Sequence, residues 1–216
     1  MNKELIIRSG SEAVDFALLK DGKLVELHKE EEQKSGFQVG DIFIAKIRKP
    51  VPGLNAAFVH LGFEKDAFLH YHDLGPNLSS MLKFTKLVST GKQKDFSLKN
   101  FQFEKEIDKD GTITDVLSAN QSVLVQIVKE PISTKGPRIS SELSLAGRYI
   151  VLVPFSDRVS VSQKIESKEE KDRLKRLVQS IKPKGFGVIV RKVAEGKKIA
   201  ELDQNMQNLL SKGPAM

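Results

Sequence analysis

Ala56-Ala57-Phe58-Val59-His60-Leu61-Gly62-Phe63-Glu64-Lys65-Asp66-Ala67-Phe68-Leu69-His70-Tyr71 reads as two short apolar strands joined by a turn at residues 62–65. Upstream, residues 42–47 form a mostly apolar run ended by Pro50 and Pro52-Gly53. Downstream, Val123-Leu124-Val125-Gln126-Ile127-Val128 is a further strand. Short strands in quick succession, with frequent Gly and Pro turns and little helix, predict a small closed barrel of the OB type. Residues 77–115, rich in Ser, Lys and Asp, form an elaborated connection within it, and their mixed polarity assigns no element.

Outward from this centre, the first 30 residues are β-structure. Residues 4–8, 13–19 and 24–27 are short apolar runs, and Lys20-Asp21-Gly22-Lys23 between the last two predicts a tight hairpin. The charged stretch 28–36 marks a linker and a candidate domain boundary. After residue 130 the pattern changes to mixed α/β. Residues 148–153 read as a buried strand closed by Pro154, and Ser167-Lys168-Glu169-Glu170 is a capping box. The helix it opens places Leu174, Leu177, Val178 and Ile181 on one face, ended by Pro183 and Gly185. Residues 187–193 return as a strand, and Leu202, Met206, Leu209 and Leu210 recur at helical spacing.

The chain has 216 residues, 39% hydrophobic and 29% charged, which is ordinary for globular domains. No apolar run approaches the ~18 residues that span a bilayer, and the N-terminus has no cleavable signal pattern. A cytoplasmic address is expected. The absence of cysteine excludes disulfides, thiolate zinc sites and cysteine nucleophiles from this chain. The net charge is +7, yet residues 129–200 alone carry 17 Lys or Arg against 8 Asp or Glu. Concentrated positive charge suits a polyanionic partner, although a solvated helix face has the same signature.

Phe58 and Phe68 lie ten residues apart on strands joined by one turn, so they can share a sheet face. Aromatics on the outside of such a barrel stack unpaired bases at roughly 1–3 kcal/mol each. The same pattern is compatible with two core residues, and the alternation leaves both readings open. His60, His70 and His72, with Asp73, match no metal-ligand spacing. Residues 106–113 are similar to a calcium loop, but Leu117 stands where a bidentate glutamate is required. They read as a polar turn. There is no Gly-x-Ser-x-Gly elbow or phosphate-binding Gly-Lys loop, and Asp15 has no partner for holding magnesium. Lys135, Arg138, Arg148, Lys164, Arg191 and Lys192 lie at strand ends or turns, and Arg191 follows the apolar Val188-Ile189-Val190 directly.

Ala56-Ala57-Phe58-Val59, Phe68-Leu69 and Val125-Gln126-Ile127-Val128-Lys129-Glu130 resemble the ribonuclease E/G family of bacterial endoribonucleases. So do the residues from Ser144-Leu145-Ala146-Gly147-Arg148-Tyr149 to Pro154, residues 160–166, and Gly187-Val188-Ile189-Val190-Arg191. The resemblance implies a β-rich α+β chain. Residues 1–35 would begin an RNase H-like subdomain. Residues 36–130 would be an inserted OB-type five-stranded barrel of the S-one kind. Residues 131–216 would be an α/β 5′-sensor domain with the start of a truncated helix.

Carried over by motif, Phe58, Phe68 and Lys135 match the family's RNA contacts. Gly147, Val151, Arg191 and Lys192 match its 5′-phosphate site. Lys192 stands where the best-studied members have threonine, and Gln163-Lys164 where they often have Arg-Arg. The family's catalytic aspartates and its Cys-Pro-x-Cys zinc link lie beyond the residues matched here. The chain is therefore expected to be an N-terminal fragment with no catalytic or metal-binding residues. It would bind single-stranded, preferably 5′-monophosphorylated RNA without hydrolysing it. Magnesium and homo-oligomerisation are expected of the full-length enzyme. The alternative is a complete, non-catalytic OB-fold RNA-binding protein associated with translation.

Overall fold

The computed structural model describes residues 2–10, 13–31, 37–62, 64–93, 97–132 and 135–211. Phe63 in the expected turn and residues 32–36 of the expected linker lie outside the described residues. The chain divides into two compact units, Met1–Gly36 and Phe37–Met216.

The first unit is an antiparallel meander of β1 (Lys3–Ser9), β2 (Ala13–Lys20) and β3 (Lys23–Glu31). Asp21 and Gly22 join β2 to β3 with φ of 49° and 76°, the left-handed pair that a two-residue hairpin requires. Leu5, Ile6 and Ile7 follow one another on β1 and are all exposed, so this sheet carries apolar side chains on both faces.

The second unit begins with the barrel. Its strands are β4 (Ile42–Val51), β5 (Ala56–His60), β6 (Ala67–His70), β7 (Ser122–Lys129) and β8 (Arg138–Ser140). They close in the order β4-β5-β6-β8-β7, with β6 and β8 parallel and the other neighbours antiparallel. This is an OB-type barrel. Ala45, Ile47, Ala57, Val59, Ala67, Leu69, Val123, Val125, Ile127 and Ile139 fill it, each 4% exposed or less. The connection left unassigned by the sequence contains α1 (Leu78–Ser89), which packs on β7 through its apolar side, and a short α2 (Ile113–Val116). Asn77, a residue type that commonly caps helices, precedes α1 but makes no capping hydrogen bond.

A four-stranded sheet follows in the order β11-β12-β10-β9. It comprises β9 (Leu145–Ala146), β10 (Ile150–Pro154), β11 (Val159–Val161) and β12 (Phe186–Val190). The parallel strands β11 and β12 are bridged by α3 (Lys168–Ile181), and α4 (Ile199–Ser211) packs on β10. Ile150, Leu152, Leu174, Val178, Val188, Val190, Leu202 and Met206 are fully buried between sheet and helices. Ser167 caps α3 as the sequence predicts, its hydroxyl accepting from the Glu170 amide at 3.2 Å. Glu170 departs from the expected capping box: its carboxylate turns away from Ser167 to Arg173 and the Gly196 amide.

Asn55 anchors the β4–β5 turn to the long connection. Its φ is 44°, its side-chain Nδ2 donates to the Gly111 carbonyl at 3.1 Å, and its side-chain oxygen accepts from the Ile113 amide at 2.7 Å. Asn55→Gly keeps the left-handed backbone but removes both bonds. We expect it to lower unfolding free energy by about 1–3 kcal/mol in urea titration.

Candidate nucleic-acid interface

The alternation of β5 and β6 decides where the two phenylalanines point. Ala57, Val59, Ala67 and Leu69 face the core with no exposure, so Phe58 and Phe68 between them face outward. The two stand opposite each other in register, with ring centroids 6.0 Å apart and planes at 67°. Both rings are partly buried and line a groove of about 760 Å³ with Lys65, Asp66, Lys135, Gly136 and Arg138. Lys135 reaches it from the β7–β8 connection. That connection passes so close to the β5–β6 turn that a Cβ on Gly136 would overlap the Asp66 carbonyl.

The cations around this groove differ in their engagement. Arg48 donates to both Asp66 oxygens at 2.9 and 3.1 Å, and Arg138 forks onto Asp73 at 3.0–3.1 Å. Lys135 has no acidic partner among the described residues.

Two residues that the sequence offered only as weak metal ligands extend the aromatic row. Phe68 and His70 lie 6.5 Å apart, and His70 and His72 lie 5.0 Å apart. Nδ1 of His70 accepts from the His72 amide at 3.2 Å, which places the proton of the neutral ring on Nε2. His60 points outward on β5 two residues past Phe58 and lies 3.5 Å from Asp66 rather than in this row. The missed signal was the even spacing of residues 68, 70 and 72. Among the described residues, no three His, Asp or Glu side chains are grouped to hold a metal.

The second candidate site lies in the sheet region. Arg191, just past β12, donates from its backbone amide to the Tyr149 carbonyl at 2.9 Å and from Nη1 to the Gly147 carbonyl at 2.7 Å. Val151 pairs with Ala146 and Ile189 beside them. Gly147, Val151 and Arg191 are thus brought together. A Cβ on Gly147 would sit 2.7 Å from Asn205 Oδ1 and 2.9 Å from the Ile150 carbonyl, so this corner admits only glycine. Lys192 is adjacent in sequence, but its ammonium is paired with Glu195. Gln163 and Lys164 lie in the turn after β11, whose last residue, Val161, pairs with Val190, the residue before Arg191.

The segment after Arg191 is held from two sides. Arg173 binds Glu170 bidentately at 2.6 and 2.7 Å, and Glu170 also accepts from the Gly196 amide at 2.8 Å. The Arg173 bonds, then the Gly196 amide, hold the Glu170 carboxyl down at about 2. On the other side, Lys197 lies 5.3 Å from the Tyr149 ring centroid and 2.9 Å from Glu201, which pushes its ammonium pKa up. Because the Glu170 pKa is depressed, its contribution to stability is present above the ordinary carboxylate range and lost as pH falls toward about 2. In an acid titration followed by NMR, the Gly196 amide shift should therefore move near pH 2 rather than near 4.5.

Fold and surface define a chain with an OB-type barrel bearing an outward aromatic row, joined to an α/β sheet region with a cationic corner. Residues 144–214 match the model of the ribonuclease E/G family. Ribonuclease G of Escherichia coli (strain K12) is 35% identical over 202 residues, covering 94% of this chain and 37% of that protein. Ribonuclease G of Haemophilus influenzae is 35% identical over 206 residues, covering 95% and 38%. Ribonuclease E of Nostoc sp. is 38% identical over 161 residues, covering 74% and 20%. The chain belongs to the ribonuclease E/G family. It spans little more than a third of the length of its ribonuclease G relatives.

Proposed function

We propose that this chain is the RNA-recognition part of a ribonuclease E/G-type endoribonuclease acting in RNA processing and decay in the cytoplasm. The observation that carries the reading is the outward, in-register pair Phe58–Phe68 in a chain of this family. Successive unpaired bases stack on Phe58 and Phe68, and His70 and His72 lengthen that track. Lys135 supplies a phosphate contact beside it. The corner of Gly147, Val151 and Arg191 receives a 5′-monophosphate: the Arg191 guanidinium is held by the Gly147 carbonyl through one nitrogen, leaving donors for phosphate oxygens. Single-stranded RNA with a phosphorylated 5′ end is the substrate class.

Magnesium is the metal expected for hydrolysis. The described residues offer no cluster of carboxylates to hold it, so no catalytic step is assigned to them. In this reading the catalytic carboxylates, and the homo-oligomer contacts, belong to a longer protein. The role of this chain is to hold RNA in register for that centre.

Phe58→Ala and Phe68→Ala should each weaken binding of a short single-stranded RNA by roughly 5- to 150-fold in fluorescence anisotropy, with the barrel still folded by circular dichroism. Unfolding of either variant would place that ring among the residues that hold the barrel together and remove it from the RNA surface. Arg191→Ala should abolish any preference for 5′-phosphate over 5′-hydroxyl RNA in the same assay, and a retained preference would exclude Arg191 from the end site.

A further inference from the structure

The Glu170–Arg173 pair has a geometry that α3 itself does not need. Ser167 already caps the helix, and Leu174 and Val178 bury its inner face. The Glu170 carboxylate instead leaves the helix for the segment between β12 and α4. There it accepts from the Gly196 amide, 26 residues away, at 2.8 Å. The Arg173 Nη2 that grips Glu170 also donates to the Lys197 carbonyl at 3.1 Å. Both bonds land on the stretch that starts with Arg191.

That stretch is short and constrained throughout. Arg191 is tied to Tyr149 and Gly147, Lys192–Ala194 forms a 3-10 turn, and Ala194 is fully buried. Gly196 then reverses the chain at φ 73°. With Arg191 at one end and the carboxylate at the other, the Glu170–Arg173 fork sets where the turn carrying Lys192 and Glu195 stands. The fork itself is charged on both sides, and each of its bonds to the segment, from the Gly196 amide and to the Lys197 carbonyl, is charge-assisted on one.

We propose that Glu170 and Arg173 are positioning residues for the 5′-phosphate site, fixing the 191–198 segment so that the Arg191 guanidinium is presented in a single orientation. This rests on the reading of Gly147, Val151 and Arg191 as that site. Neither residue touches the RNA. Pre-ordering the segment lowers the cost of gripping a phosphate and leaves contacts along the rest of the strand unchanged. A bulk-charge effect has the opposite sign. Neutralising Glu170 removes a negative charge and leaves Arg173 unpaired, so charge alone would strengthen binding of a phosphorylated end.

The test is anisotropy with one short single-stranded RNA carrying either a 5′-monophosphate or a 5′-hydroxyl, on the chain and its Glu170→Gln, Glu170→Asp and Arg191→Ala variants. Glu170→Asp keeps the charge but shortens the reach to Gly196, and it provides a second reading should Glu170→Gln not fold. Both variants should reduce the ratio of 5′-phosphate to 5′-hydroxyl affinity by about tenfold, the scale of one charge-assisted hydrogen bond, while leaving 5′-hydroxyl binding unchanged. An unchanged ratio, or tighter 5′-phosphate binding in Glu170→Gln, overturns the positioning role. If the unaltered chain shows no preference, or Arg191→Ala retains it, the site reading itself falls. A preference lost in Arg191→Ala but kept in the Glu170 variants overturns the positioning role alone.

Discussion

The barrel depends on the closure of β6 onto β8. The parallel pairing there is a single register position, Phe68 against Arg138, with the Phe68 amide donating to the Pro137 carbonyl at 3.1 Å. Around it, Asp73 collects a fork from Arg138, and its carbonyl accepts from the Ser141 amide and the Ser140 hydroxyl. A three-residue strand holds little by ladder bonds alone, so these contacts supply what the ladder lacks. Once the seam is closed, the pleat of β5 and β6 has no freedom: Ala57, Val59, Ala67 and Leu69 go inside and the rings between them go out.

A second constraint joins the barrel to the segment that leads into the sheet. Gln126 lies on β7, only 5% exposed, and its side-chain amide is fully used. It donates to the Gly40 and Ser144 carbonyls at 2.9 and 2.8 Å and accepts from the Ser144 amide at 2.9 Å. A buried amide is tolerated only when satisfied in this way. Its polarity sets the position of Ser144, from which β9 and the Gly147 corner follow directly.

Features encoded by neighbours in sequence were legible. The Asp21-Gly22 turn, the Ser167 cap and the apolar face of α3 each depend on residues within a few positions of each other. Helix α1 was not legible, because the mixed polarity of residues 77–115 hides the spacing of Leu78, Met81 and Phe84, which form one buried face only once the helix packs on β7. The facing of Phe58 was equally hidden. Ala56 and Ala57 are both fully buried, so alternation along that strand is ambiguous until its partner is known. The row of Phe68, His70 and His72 was written in their even spacing but was passed over, whereas the bond between Glu170 and Gly196 spans 26 residues and no local spacing encodes it. The role proposed for Gly147 and Arg191 came from family resemblance, since as isolated residues they are a turn glycine and a strand-end cation.

The ion pairs bordering the aromatic groove bear on how binding would respond to the medium. Arg48 is occupied by Asp66 and Arg138 by Asp73. Cations already neutralised in this way release few counterions when a nucleic acid arrives, so they add little to the ionic-strength dependence of association. In the proposed reading the barrel grips through ring faces that added salt barely weakens, and the electrolyte-sensitive share falls to Lys65, Lys135 and the Arg191 corner. Rising salt would then loosen the strand's end before its middle, leaving RNA held by its bases while its terminus goes free.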